Sequence, residues 1–230
     1  FGGDKLTAVN PEGFRRFISM VHGRGMKILA YASSGYFTAH DPNYRREWSR
    51  PGDESGGWWD LARCAPSSPG WRAFFLPRML QILEDYELDG LYNDWGYVCN
   101  AERRIKENAP DEVAAFEETP EYDGAETDLL YLIYSEVKRR GGIYKMHADR
   151  TNEPRTGGLK VYDYLWVGEN VDNADGLREA VKNHSPYVVP CIQGSMAKVA
   201  NEQEHFLQSI PYMQFPLLQG GRPLTGERGV

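Results

Sequence analysis

The chain has 230 residues, 41% hydrophobic and 13% aromatic, which is enough apolar material for one large globular core and too much for a disordered or fibrous chain. Lys plus Arg number 26 against 33 Asp plus Glu, a net charge of −7 with no basic stripe able to neutralise phosphates, so no nucleic-acid partner is expected. The longest apolar runs, such as 187–192, are strand-sized and fall far short of the roughly 20 residues a membrane helix requires, so no membrane partner is expected either.

In chain order, Pro11 to Gly25 reads as a helix with Phe14, Phe17, Ile18 and Val21 at helical spacing, closed by Gly-Arg-Gly. Met26 to Ala32 (MKILAYA) is short, apolar and bounded by Ser-Ser-Gly, as a parallel strand buried on both faces would be. A long segment from Ser33 to Pro69 shows no periodicity and is expected to be a functional loop, since it carries Tyr36, Tyr44, Trp48, Trp58 and Trp59. A helix from Gly70 to Tyr86 and a strand from Gly90 to Asp94 follow, then a second excursion from Tyr97 to about Gly124. Asp128 to Arg140 reads as a helix with Leu129, Leu132, Ile133 and Val137 on its core face, followed by strands at Ile143–His147 and Tyr162–Val167. A short helix near Ala174–Lys182, a strand at Tyr187–Ile192, a helix at Glu202–Ile210 and a strand at Phe215–Leu218 complete the alternation.

Strands alternating with helices imply a parallel sheet, either doubly wound or closed into a barrel. No strand-to-helix turn carries GxGxxG, which argues against a dinucleotide fold. Polar and aromatic residues instead collect after strand ends, at Ser33-Ser34-Gly35-Tyr36, Asn93-Asp94-Trp95, His147-Ala148-Asp149-Arg150, Gly168-Glu169-Asn170 and Gln193-Gly194-Ser195, as on the catalytic face of a barrel. The fold expected is therefore α/β, a (β/α)8 TIM barrel, with residues 1–230 forming a single catalytic domain. A whole barrel typically takes about 250 residues, so the chain is slightly short. It has no initiator Met and no charged-then-apolar leader, which predicts that it begins inside something larger or has been processed.

The runs PEGFRRFISMVHGRGMKILAY and WDLARCAPSSPGWRAFFLPRMLQILEDYELDGLYNDW resemble the α-galactosidase (melibiase) and α-glucosidase clan of retaining (β/α)8-barrel glycoside hydrolases and its uncharacterised relatives. In that clan a His-x-x-Gly-Met/Leu-Lys pattern leads into the third barrel strand, and an Asp-Gly/Tyr-x-x-x-Asp pattern at the fourth carries the nucleophile. Here these are His22, Gly25, Met26 and Lys27, then Asp89, Gly90 and Asp94. The resemblance covers Pro11 to Tyr97 and implies that the first one or two βα units lie outside this chain, leaving missing N-terminal barrel segments or further domains as expected partners. A reduced barrel, or a partner segment supplying those strands, is the competing account.

Glycosidases pair two carboxyl groups, about 5–5.5 Å apart when retaining and about 6.5–9.5 Å apart when inverting. Asp94 is the first candidate: its strand, GLYND, ends in a charge where a parallel strand opens to solvent, and Trp95 offers an apolar wall for a sugar face. The competing role is a cap for the following segment. Asp149, Glu169 and Asp172 are candidates for the second. The clan takes its acid/base from the sixth strand, which by the implied count is Tyr162–Val167, and this favours Glu169, although the clan carries Asp there. Trp166 and Val167 would desolvate such a carboxyl and raise its pKa, as a general acid requires.

The expected sugar subsite consists of Tyr31, Tyr36, Trp58, Asp60, Trp95, His147, Asp149, Arg150 and Gln193, and Trp48, Trp59 and Tyr97 also fall in loops where they could stack on pyranose rings. Asp149 with Arg150 could equally tie down a loop. His22 reads as structural, and His40-Asp41-Pro42 as a turn signal. No cofactor is expected and no metal site: the five histidines, His22, His40, His147, His184 and His205, include no HxH pair. Cys64, Cys99 and Cys191 are odd in number without CxxC spacing and are expected to be buried thiols. Gln193-Gly194-Ser195 lacks a GxSxG elbow.

The sequence thus predicts a glycoside hydrolase acting on carbohydrate, with an α-linked hexose implied by the resemblance. A catalytically silent glycan-binding barrel and a metal-dependent hydrolase of amidohydrolase type are the alternatives.

Overall fold

A computed structural model of the chain describes residues 8–49, 54, 60–94, 120–147, 159–167, 175–176, 188–193, 203–204, 207 and 215–217. The chain divides into two units, residues 1–146 with 154–163 and residues 147–153 with 164–230.

In the first unit, helix α1 (Pro11–His22) starts where its cap dictates. The Asn10 side chain accepts from the Gly13 N–H at 2.9 Å, and Pro11 sits at the first helical position, where its missing N–H costs nothing. Residues 23–25, the Gly-Arg-Gly read from sequence as the helix's close, form the closing turn: Gly25 adopts φ 69°, and the Met26 N–H returns to Val21 O. Ile18 is buried, and the Phe14 ring meets Tyr86 edge-on at 5.2 Å.

Strands β1 (Leu29–Tyr31), β4 (Gly90–Asn93) and β5 (Ile143–His147) form a parallel ladder, with Leu29, Gly90 and Ile143 in one row and Tyr31, Tyr92 and Lys145 in another. Gly90 is required there, because a Cβ would lie 1.8 Å from the Ile143 carbonyl oxygen. Between β1 and β4 come β2 (Tyr36–Thr38), a 3-10 turn (Arg46–Trp48), β3 (Leu61–Arg63) and helix α2 (Pro69–Asp85). The pairing of β2 with β3 is antiparallel and lies inside the segment read from sequence as an unstructured loop. Three-residue strands are too short for period-two alternation to stand out.

Helix α2 is capped by Ser68 and buries Trp71, Phe75, Met79, Ile82 and Leu83, a continuous helical face. Helix α3 (Pro120–Arg139) begins eight residues before the predicted start at Asp128. Its core face also differs from the prediction: Leu129, Leu130, Ile133 and Val137 are buried, whereas Leu132 is 40% exposed. Arg140, just past the end of α3, reaches Glu136 at 2.5 Å and Glu84 at 2.7 Å and so ties α3 to α2.

The motif residues His22, Lys27 and Asp89 converge at the entry to β1 and β4, the end opposite Asp94. Asp89 Oδ2 lies 2.8 Å from His22 Nε2 and accepts from the Ile28 N–H at 2.9 Å, with Lys27 Nζ 3.5 Å from Oδ1. His22 is structural, as its position on the helix ahead of the strand implied.

In the second unit, β6 (Tyr164–Val167), β7 (Val188–Gln193) and β8 (Phe215–Leu217) form another parallel ladder, pairing Leu165 with Val188 and Cys191 with Phe215. Within the two predicted short helices, residues 175–176 and 203, 204 and 207 are helical. No helix among the described residues is long and apolar enough to cross a membrane.

Candidate functional site

The C-terminal end of β4 carries Asn93 and Asp94 pointing to opposite faces of the sheet, as strand alternation requires. Asn93 is fully buried. Its Oδ1 accepts from the Ser34 N–H at 2.9 Å, and its Nδ2 donates to Ser34 Oγ at 2.9 Å and to Tyr144 Oη at 2.8 Å. One amide therefore joins β4, the turn after β1 and the middle of β5. Burial pushes the Tyr144 phenol well above its ordinary pKa despite the opposing Asn93 bond, so it stays neutral.

Asp94, on the other face, is half-buried. The Tyr31 hydroxyl donates to its Oδ2 at 2.6 Å, within the short range of a hydroxyl bonded to a carboxylate. Tyr31 meets the neighbouring Tyr92 ring edge-on at 5.7 Å, and Lys145 Nζ lies 5.4 Å from the centre of the Tyr92 ring. A carboxylate, a phenol, a second aromatic ring and an ammonium thus share one sheet face.

The β2–β3 hairpin sits on an aromatic cluster through Phe37. Trp48, only 4% exposed, packs against Phe37, Trp71 and Phe74 at centroid distances of 5.8, 5.5 and 4.8 Å. Trp48 is therefore core, which corrects its reading as a sugar-stacking residue. The Trp71 indole N–H donates to Ser34 O at 2.9 Å, linking this core to the turn after β1. Cys64 is buried in the same region, as expected of it.

Of the predicted subsite residues, the structure joins Tyr31 to Asp94. Tyr36 lies on β2 with the Arg63 guanidinium 5.9 Å from its ring centre. Asp60 has φ 51° and pairs through Oδ2 with His40 Nδ1 beside the hairpin, so its carboxylate already has a protein partner. His147 ends β5, is 5% exposed and packs on Trp166 at a centroid distance of 4.1 Å. Gln193 is the last residue of β7. Trp58, Trp95, Asp149, Arg150 and Glu169 lie outside the described residues, as do Trp59, Tyr97 and Asp172. Among the described residues, no three His, Cys, Asp or Glu side chains converge to form a metal-binding group.

Sequence reasoning placed Ser34 and Asn93 among the strand-end residues but missed the buried network they form, and it missed Tyr92, Tyr144 and Lys145. A signal existed for Asn93, since an amide inside an apolar parallel strand must find buried partners. Lys145 offered another, as a cation two residues before a strand end.

No protein-family model matches the chain, and no curated protein matches it by sequence. Solved structures do match. The glycoside hydrolase domain of PelA from Pseudomonas aeruginosa is 14% identical with a TM-score of 0.56, covering 88% of this chain and 81% of that one. A cycloisomaltooligosaccharide glucanotransferase from Paenibacillus sp., complexed with cycloisomaltoheptaose, is 13% identical with a TM-score of 0.56; the match covers 80% of this chain and only 29% of the transferase. Aspergillus fumigatus Ega3, in complex with galactosamine, is 16% identical with a TM-score of 0.50, covering 81% of this chain and 68% of that one. The fold is thus the TIM-barrel type of glycoside hydrolase domains, as expected, and the likeness does not single out the α-galactosidase clan.

Proposed function

We propose that this chain is a glycoside hydrolase domain of the α-galactosidase and α-glucosidase type, cleaving an α-linked hexose glycoside with retention. The observation that carries this reading is Asp94, a half-buried carboxylate at the C-terminal end of a parallel strand, hydrogen-bonded to the Tyr31 phenol. In barrels of this kind, strand ends on that face supply the reacting groups.

In the proposed reaction, an Asp94 carboxylate oxygen attacks the anomeric carbon as the bond to the leaving oxygen breaks. Glu169 gives that oxygen its proton, then takes one from the water that releases the sugar from Asp94. The assignment of Glu169 rests on its place after the Tyr162–Val167 segment and on Trp166 nearby in sequence. No cofactor is needed for this chemistry. The galactosamine of the Ega3 complex and the cycloisomaltoheptaose of the glucanotransferase complex are both carbohydrates, which favours a sugar ligand here without fixing which one.

The test is covalent trapping. Incubation with 5-fluoro-α-hexosyl fluorides, followed by peptide mass mapping, should place one hexosyl adduct on the peptide containing Asp94. An adduct on another carboxylate would remove Asp94 from the nucleophile's role, and release of a β-configured first product would make the mechanism inverting.

A further inference from the structure

Resting on the reading of Asp94 above, we propose that Tyr31 is a positioning residue that fixes the rotation of the Asp94 carboxylate through its hydroxyl, rather than a platform for the sugar. The terminal torsion of an aspartate is broad and roughly two-fold, so sheet geometry alone leaves its oxygens free to turn. A directional donor at 2.6 Å from Oδ2 removes that freedom.

Three features of the fold determine where this donor sits. The parallel register sets Tyr31 opposite Tyr92, so the phenol reaches forward along the strands to the residue two places beyond its partner. The Tyr31 ring is braced edge-on by Tyr92, which has the Lys145 ammonium beside its own ring. Tyr31 is 43% exposed, so hydrophobic burial accounts for little of what this large side chain does at the strand end. A nucleophile must meet the anomeric carbon along a defined line, and loss of that alignment slows the chemical step more than it weakens binding.

Tyr31→Phe keeps the ring and deletes the donor. The expected result is a fall in kcat of about 10- to 100-fold with KM nearly unchanged, the pattern of an interaction that matters in the transition state. In parallel, the 13C carboxyl resonance of Asp94, identified by its loss in Asp94→Asn, should move in Tyr31→Phe and stay in place in Tyr131→Phe, a control on the exposed side of α3. An unmoved resonance overturns the proposal. So does a KM that rises while kcat holds, which is the behaviour of a sugar-stacking ring. If the resonance moves but neither protein cleaves any glycoside, the positioning bond stands and the glycosidase reading falls.

Discussion

Asp163, immediately before β6, repeats what Asp89 does immediately before β4. Each exchanges two bonds with one earlier residue at a strand entry, Ile28 just before β1 or Tyr144 near the start of β5: Asp89 N–H to Ile28 O and Ile28 N–H to Asp89 Oδ2, Asp163 N–H to Tyr144 O and Tyr144 N–H to Asp163 Oδ2. Each also holds a basic side chain from the helix before that strand, His22 of α1 at 2.8 Å and Lys138 of α3 at 2.9 Å. One device thus recurs at Asp89 and Asp163, at the end of the ladder away from Asp94.

The clasp at Asp89 makes stability depend on acid. Burial pushes this carboxyl up, but the Ile28 N–H, the His22 ring and Lys27 together outweigh it and hold the pKa below the ordinary value. The contribution is therefore complete above the unfolded pKa of about 3.9 and is lost as pH falls through the lower folded value. Asp89→Ala should cost about 2 kcal/mol at neutral pH, from the lost charge-assisted bonds and the stranded Ile28 N–H. Denaturant midpoints at pH 7 and pH 2.5 check this: the gap between variant and wild type should shrink in acid.

Asn93→Ala should be more damaging than its size suggests. It strips partners from the Ser34 N–H, Ser34 Oγ and Tyr144 Oη, all in a buried setting, at a cost of about 2–3 kcal/mol. For a chain of this length that corresponds to a fall in Tm of roughly 5–10 °C. Tyr144→Phe, which removes only one bond of the network, should lose about 1 kcal/mol by the same calorimetric measurement.

Trp48→Ala should destabilise the fold by about 3–5 kcal/mol, the range for truncating a buried aromatic residue. Its packing against Phe37, Trp71 and Phe74 makes the hairpin part of the core. Chemical denaturation measures the loss, and a stability equal to the wild type's would return Trp48 to the role of a solvent-facing, sugar-stacking residue.

The alternation of strands and helices was legible because each parallel strand is a short apolar run between turn signals, and Asp94 was legible because a charge closes such a run. The hairpin was not, since Tyr36–Thr38 and Leu61–Arg63 are too short for alternation and pair across a long gap. The face of α3 was misread by one position because Leu129, Leu130, Leu132 and Ile133 are all apolar, and only packing decides that Leu130 is buried and Leu132 exposed. Motif residues such as Asp89 and His22 were visible as a pattern, but their shared role required the register that brings them together. The Tyr31 bond to Asp94 likewise depends on strand register, which no spacing in the sequence encodes.

The central claim, hydrolysis through the Asp94 carboxylate, is tested most directly by initial rates on a panel of p-nitrophenyl α-hexosides with the wild type and Asp94→Asn side by side. The account predicts turnover of at least one α-hexoside by the wild type and a loss on the order of 10³-fold or more in the variant, the scale of removing one essential group. Equal rates for the two proteins, or no sugar released by the wild type from any α-hexoside, would contradict it.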